Sequence, residues 1–229
     1  MPETQTPQRS IRSFVIRASR MTARQRLAVE QYGDKYLIRL NNTLNDITDC
    51  FSPTTKTVLE IGFGMGDSLV RLAQSRPEIN FIGIEVHPPG VGACIALAAE
   101  NQLSNLRVIQ HDAIEVLKYH VKDHSLDSVQ ILFPDPWHKK KHHKRRLIQS
   151  DFLSLLAQKI VVSGHLRIAT DWAHYAEHIE SLLQASNEFV LAESGAHSNH
   201  LQSRINETKF EKRGLRLGHR IADFCYRVK

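Results

Sequence analysis

From Lys56 onward, short apolar runs alternate with stretches of helical periodicity, and that alternation leaves few folds open. The runs TVLEIG (57–62), FIGIEV (81–86), LRVIQH (106–111), SVQILF (128–133) and HLRIAT (165–170) predict strands. Helical patterns occupy 66–75, 89–102, 112–120, 147–161 and 173–185. Strand followed by helix, repeated at this spacing, predicts an α/β domain: a mostly parallel sheet with helices on both faces. FVLAES (189–194) and ADFCYRV (222–228) are expected to close the sheet as a C-terminal antiparallel strand pair. A further helix is expected around 34–46. Residues 1–33 read as a basic N-terminal arm that is flexible until something binds it, leaving one domain over 34–229.

Charge is unevenly placed along the 229 residues, whose formal net charge is +6. Residues 1–26 carry six arginines against the single acid Glu3, and residues 138–146 carry six Lys or Arg and no acid, so the remainder is net acidic. One basic run is commonly a solvated face. Two such runs on an acidic body point instead to a polyanionic partner. Cys50, Cys94 and Cys225 are odd in number and widely spaced, which suits free thiols in a reducing compartment better than a disulfide frame. Residues 1–26 lack the apolar core of a signal peptide, and no run approaches a membrane span, so a cytoplasmic protein is expected.

The first predicted strand runs into Glu60, Gly62, Gly64, Gly66 and Asp67. Glycines between a strand and a helix let a ligand approach the backbone. Asp67 stands where the dinucleotide fingerprint has its third glycine, and Glu60 would repel a pyrophosphate. An acid at that strand end suits a ligand with positive charge, such as the ammonium and sulfonium of S-adenosylmethionine. Glu85 closes the second strand 19 residues after Gly66, near the ~20-residue spacing at which an acid accepts ribose hydroxyls. Asp112 follows the third strand, where an adenine edge is expected, although a helix N-cap would explain it as well. Three acids at three successive strand ends converge where open α/β sheets bind ligands.

After the fourth strand comes FPDPWHKKKHHKRR (133–146). Prolines on both sides hold Asp135, which is expected beside the reactive end of the cofactor. Trp137 suits stacking on an unstacked nucleobase, the plain alternative being a strand-end turn with a core tryptophan. Lys139 to Arg146 suit RNA phosphates. His138, His142 and His143 have no acid or cysteine to complete a metal site, and none is expected.

RSFVIRASRMTARQ, LEIGFGMGDSL, IGIEVHPPGVG, FPDPWHKKKHHKRRL, IATDW and TKFEKRG, in this order from about Arg9 to the C-terminus, resemble the bacterial tRNA (guanine-N7-)-methyltransferase family. The resemblance implies a class I, Rossmann-like methyltransferase fold, S-adenosyl-L-methionine as cofactor, and methylation of guanosine 46 in the tRNA variable loop. It implies cofactor contacts at Glu60, Glu85 and Asp112, with Gly62, Gly64 and Gly66 in the glycine loop and Asp135 beside them. Asp135 matches the position regarded as catalytic. Substrate contacts fall on Lys139, Asp171, Thr208, Lys209, Phe210 and Glu211, and an RNA-contacting run covers Lys141, His142, His143, Lys144, Arg145 and Arg146. Asp171, beside Trp172 at a strand end, reads equally well as a helix N-cap.

Guanine N7 has a lone pair and no proton at neutral pH, so attack on a methyl group needs no general base. Positioning and electrostatics then carry the catalysis. Two other readings stand beside this one. PDPW also resembles the loops of amino-methylating enzymes, which would make another RNA base or a protein the target. A non-catalytic RNA-binding protein that keeps the fold is the second, though it has no need of three cofactor acids. A monomer or weak homodimer is expected.

Overall fold

Every residue of the first strand is buried, which is what a strand covered on both faces demands of its sequence. The computed structural model describes residues 12–15, 20–40, 46–52, 55–192, 218 and 220–229. Seven strands form one sheet: β1 (Thr57–Ile61), β2 (Asn80–Glu85), β3 (Leu106–Gln110), β4 (Leu126–Leu132), β5 (Ile160–Thr170), β6 (Phe189–Leu191) and β7 (Ala222–Val228). Their order is β3-β2-β1-β4-β5-β7-β6. The first five pair in parallel, and β7 runs antiparallel to both β5 and β6. The chain reverses its direction of travel across the sheet between β1 and β4, so a crevice opens at the carboxyl ends of those two strands.

Among the described residues six α-helices cover the sheet: α1 (Ala23–Tyr36), α2 (Asp67–Ser75), α3 (Pro88–Glu100), α4 (Ala113–Tyr119), α5 (Ser150–Lys159) and α6 (Ala173–Ala185). Alternate residues of the strands feed two cores. Val58, Phe81 and Val108 pack with Tyr36, Val70 and Ile95 of α1 to α3. Leu59, Ile82 and Ile109 pack with Val116, Phe152, Tyr175 and Ile179 of α4 to α6. Among the described residues no helix is long and apolar enough to cross a membrane.

Two elements differ from the sequence expectation. The helix expected at 34–46 lies at Ala23–Tyr36, so the expected arm boundary at residue 33 falls inside a helix that packs on α3. Thr22 and Gln25 form a capping box at its start, and the Tyr36 hydroxyl donates to the carbonyls of Ala98 and Leu103. Few of its residues are apolar, so helical periodicity is faint there and the capping box is the better signal. The second difference is β5, which starts at Ile160 rather than 165. Ile160-Val161-Val162 is a β-branched run that favours extended backbone over a last helical turn. The pairing shifts between Leu126 and Ser128, and Ser163 at φ 64° absorbs the extra residues.

Candidate active site

The glycine loop leaves β1 through three left-handed residues, Gly62, Gly64 and Gly66, at φ 79°, 60° and 82°. Gly66 is the N-cap of α2 and lies against α3, where an added Cβ would sit 2.5 Å from the Cβ of Cys94. A Cβ at Gly90 would run into the carbonyl oxygen of Gly64. Loop and α3 are therefore locked backbone to backbone, and the loop's free edge faces the crevice.

Glu85 ends β2 with its carboxylate turned back onto this loop. One oxygen accepts from Gly64 N at 2.9 Å; the other accepts from Val86 N at 2.7 Å and His87 N at 3.1 Å. A carboxylate has about four acceptor positions, so one remains for a ligand hydroxyl, where the sequence suggested that two would be accepted. Asp112 does what its alternative reading proposed, capping α4 by accepting from Ile114 N at 2.9 Å, and it also faces the crevice. Glu60 is placed differently. It is 2% exposed, within β1, and accepts from the Gln130 side-chain amide of β4 at 2.5 Å. Burial, reinforced by the charge of Glu85 and opposed by the Gln130 bond, pushes its carboxyl up to about 7.

A cavity of about 650 Å³ occupies the crevice. Gly62 and Gly64, Glu85, Asp112 and Asp135 all line it, so the three strand ends and the PDPW loop meet in one place. Gly66 and Glu60 do not line it: Gly66 packs against Cys94 of α3, and Glu60 is buried within β1. The cavity's outer wall is Ser13, Phe14 and Val15, which no local signal in the sequence connects to a strand end 50 residues away. The pattern fits an adenosine-bearing cation: acceptors in Glu85 and Asp112, a close glycine backbone, and a buried acid behind it.

Asp135 is exposed at the lip of the cavity. Phe133 and Trp137, two residues either side of it, both take positive φ, 55° and 47°. Bulky residues in that region cost on the order of 1–3 kcal/mol each, so the loop must be held by its surroundings. Trp137 is held on three sides. Its indole N–H donates to Ser13 O at 3.1 Å, the Arg145 guanidinium lies 4.1 Å from its ring centroid, and His142 meets it edge-on at 6.0 Å. One face of the ring is thus covered by Arg145. Arg145 also donates to the carbonyls of Arg12 and Phe14.

Arg146, expected on RNA, points inward. It is 2% exposed, donates to Pro136 O at 3.0 Å, and lies 4.7 Å from the ring centroid of Tyr175. His143 Nε2 and His174 Nδ1 stand 3.3 and 3.4 Å from its outer nitrogen. Desolvation and the charge of Arg146 lower the His143 pKa, consistent with a neutral acceptor ring. The basic block thereby divides: Lys139, Lys140, Lys141 and Lys144 are exposed, whereas both arginines brace the PDPW loop from within.

Asp171 follows β5 one residue before Trp172, the N-cap of α6, so it is not that helix's cap. Trp172 meets His138 edge-on at 4.2 Å, which brings the Asp171 segment against the PDPW loop. Thr208, Lys209, Phe210 and Glu211 lie outside the described residues. Among the described residues no group of three or more His, Cys, Asp or Glu is arranged to hold a metal ion.

Residues 54–224 match the family described as "Putative methyltransferase", Methyltransf_4. The chain is 49% identical over 222 residues to the tRNA (guanine-N(7)-)-methyltransferase of Yersinia enterocolitica, covering 96% of this chain and 92% of that one. It is 47% identical over 223 residues to the enzyme of the same name from Methylobacillus flagellatus, with the same coverage. Among solved structures, the 16S rRNA methyltransferase KamB superposes with a TM-score of 0.53 at 13% identity, over 84% of this chain and 95% of that one. The aminoglycoside resistance methyltransferase NpmB1 superposes with a TM-score of 0.52 at 16% identity, over 83% and 95%. The strand order and crevice described above are thus those of a methyltransferase fold.

Proposed function

The chain belongs to the tRNA (guanine-N(7)-)-methyltransferase family, and on that premise we propose that it methylates N7 of guanosine 46 in the variable loop of tRNA. The methyl donor is S-adenosylmethionine, which when bound supplies an electrophilic methyl group on a sulfonium. The observation that carries this reading is a single cavity that joins Gly62, Gly64, Glu85 and Asp112 to Asp135, with exposed lysines beginning four residues further on.

Within this reading the residues divide the work. Gly62, Gly64, Glu85 and Asp112 hold the adenosine, with Glu60 and Gly66 behind them. Asp135 accepts hydrogen bonds from the N1–H and N2–H₂ edge of the guanine and stabilises the positive charge that grows on the ring. Asp171, packed nearby through Trp172, shares that edge. No group needs to take a proton from N7, so rigid placement of Asp135 is the chief contribution of the loop. Lys139, Lys140, Lys141 and Lys144 hold phosphates, and a carboxylate sits against this basic block because one addresses the base and the other the backbone. Thr208 to Glu211 complete the substrate site. The protein acts in the cytoplasm as a monomer or weak homodimer.

The test is incubation with labelled S-adenosylmethionine and unmodified tRNA, followed by reductive cleavage at N7-methylguanosine and mapping of the cut. Cleavage at position 46 is the expected result. Labelled tRNA that resists cleavage would move the target to an amino group and overturn the assignment.

A further inference from the structure

The Glu60 carboxylate has an unusual setting. Across the sheet its register neighbours are Gly83 on β2 and Gln130 on β4. Gly83 has no side chain to offer, and a Cβ there would strike Phe63 and Leu69, so that flank is closed and apolar. Gln130 supplies the one hydrogen bond to the carboxylate among the described residues. Among the described residues the groups that face it are acids or neutral: Glu85 at the end of β2, and the Cys94 thiol on α3, which burial above all, with the charges of Glu60 and Asp67 of α2 added, holds protonated. The guanidinium next along the row, Arg167 on β5, is bound bidentately to Asp223. A buried carboxylate with no cation and one neutral donor is costly, and such a group takes up a proton unless positive charge arrives.

We propose that Gln130 is a positioning residue for the methyl transfer: its side-chain amide keeps the buried Glu60 carboxylate available as the countercharge of the cofactor, and so sets cofactor affinity near neutral pH. This rests on the reading that the cavity holds S-adenosylmethionine. Burial and Glu85 favour the protonated acid; the Gln130 amide N–H favours the carboxylate, because it can donate and the neutral acid has less need of a donor. A cationic ligand binds the carboxylate form better. In the free protein that form gains ground as pH rises towards about 7. Affinity for a cationic cofactor therefore strengthens with rising pH below that value, by at most tenfold per pH unit for one proton released, and levels off above it. Loss of the Gln130 donor moves the bend to higher pH.

The test is calorimetric titration with S-adenosylhomocysteine, whose ammonium is retained, at half-unit steps between about pH 5.5 and 8.5, on wild type, Gln130→Met and Glu60→Gln. Wild type should show the bend, Glu60→Gln should lack it, and Gln130→Met should show it displaced upward, with several-fold weaker binding at pH 7 that recovers at the alkaline end. Binding by Gln130→Met that is weaker by one factor at every pH would make Gln130 a packing residue and overturn the proposal. A wild-type curve without a bend would place Glu60 outside cofactor recognition and overturn it equally, while leaving the methylation assignment intact. Absence of any wild-type binding would instead sink the cofactor reading itself. Should Gln130→Met fail to fold, Gln130→Asn withdraws the same amide by one methylene, and an undisplaced bend there would overturn the proposal.

Discussion

The indole N–H of Trp137 donates to the main-chain carbonyl of Ser13 across 124 residues of chain. Through this bond the PDPW loop and the segment that precedes α1 become one wall of the cavity. Trp137→Phe removes the donor but keeps a ring under Arg145, so it costs about one hydrogen bond, ~1 kcal/mol. We expect a several-fold loss of S-adenosylhomocysteine affinity by calorimetry and little change in tRNA affinity. The reverse outcome, tRNA affinity lost with cofactor affinity intact, would identify Trp137 as a base-stacking residue.

The division within the basic block predicts two phenotypes. Lys141→Ala with Lys144→Ala should weaken tRNA binding and reduce its salt slope by roughly 0.7–0.9 for each phosphate no longer neutralised, at unchanged Tm. Arg146→Ala should lower Tm, because it removes the bond to Pro136 O and the packing on Tyr175 from a buried site, a destabilisation in the usual range of ~1–3 kcal/mol. Filter binding across a salt series and calorimetric unfolding separate them. Equal Tm losses in both variants would mean that the lysines are structural too.

Glu85 accepts three backbone N–H groups and faces the cavity. Glu85→Ala leaves those donors without their acceptor and removes a charged one from the ligand, an effect of ~1.5–3 kcal/mol per such bond. The apparent Kd for S-adenosylhomocysteine should rise roughly ten-fold or more. Glu85→Gln should also fail, because its amide nitrogen would face a backbone donor. Unchanged binding in folded variants would put Glu85 outside the site.

Asp135 is assigned to placement and charge, with no proton to remove from N7. Single-turnover methylation at saturating cofactor and tRNA should then be level between about pH 6 and 9, whereas a general base would give a rising limb. Saturation matters because it removes the cofactor-binding dependence argued for Glu60. Asp135→Asn should lose rate heavily and tRNA affinity only modestly, since an amide offers one acceptor oxygen in place of two. Rapid-quench kinetics check this; a limb rising tenfold per pH unit that disappears in Asp135→Asn would identify a base.

The sequence by itself determined the parallel α/β sheet, the glycine loop and the strand-end acids, because these rest on local period and on residues a few places from their strands. The same holds for Asp135 and the lysines that follow it. Tertiary structure decided what depends on partners far along the chain. Arg145 and Arg146 share their positive charge with Lys141 and Lys144, yet the arginines turn to the protein because the Arg12 and Phe14 carbonyls and Trp137 lie beside the one and Tyr175 beside the other. Glu60 is the exception among the strand-end acids: the alignment of β1 between Gly83 and Gln130 buries it within the sheet, outside the cavity lining. Hydrophobic period specifies which face a side chain takes; only the packed sheet specifies what it meets there.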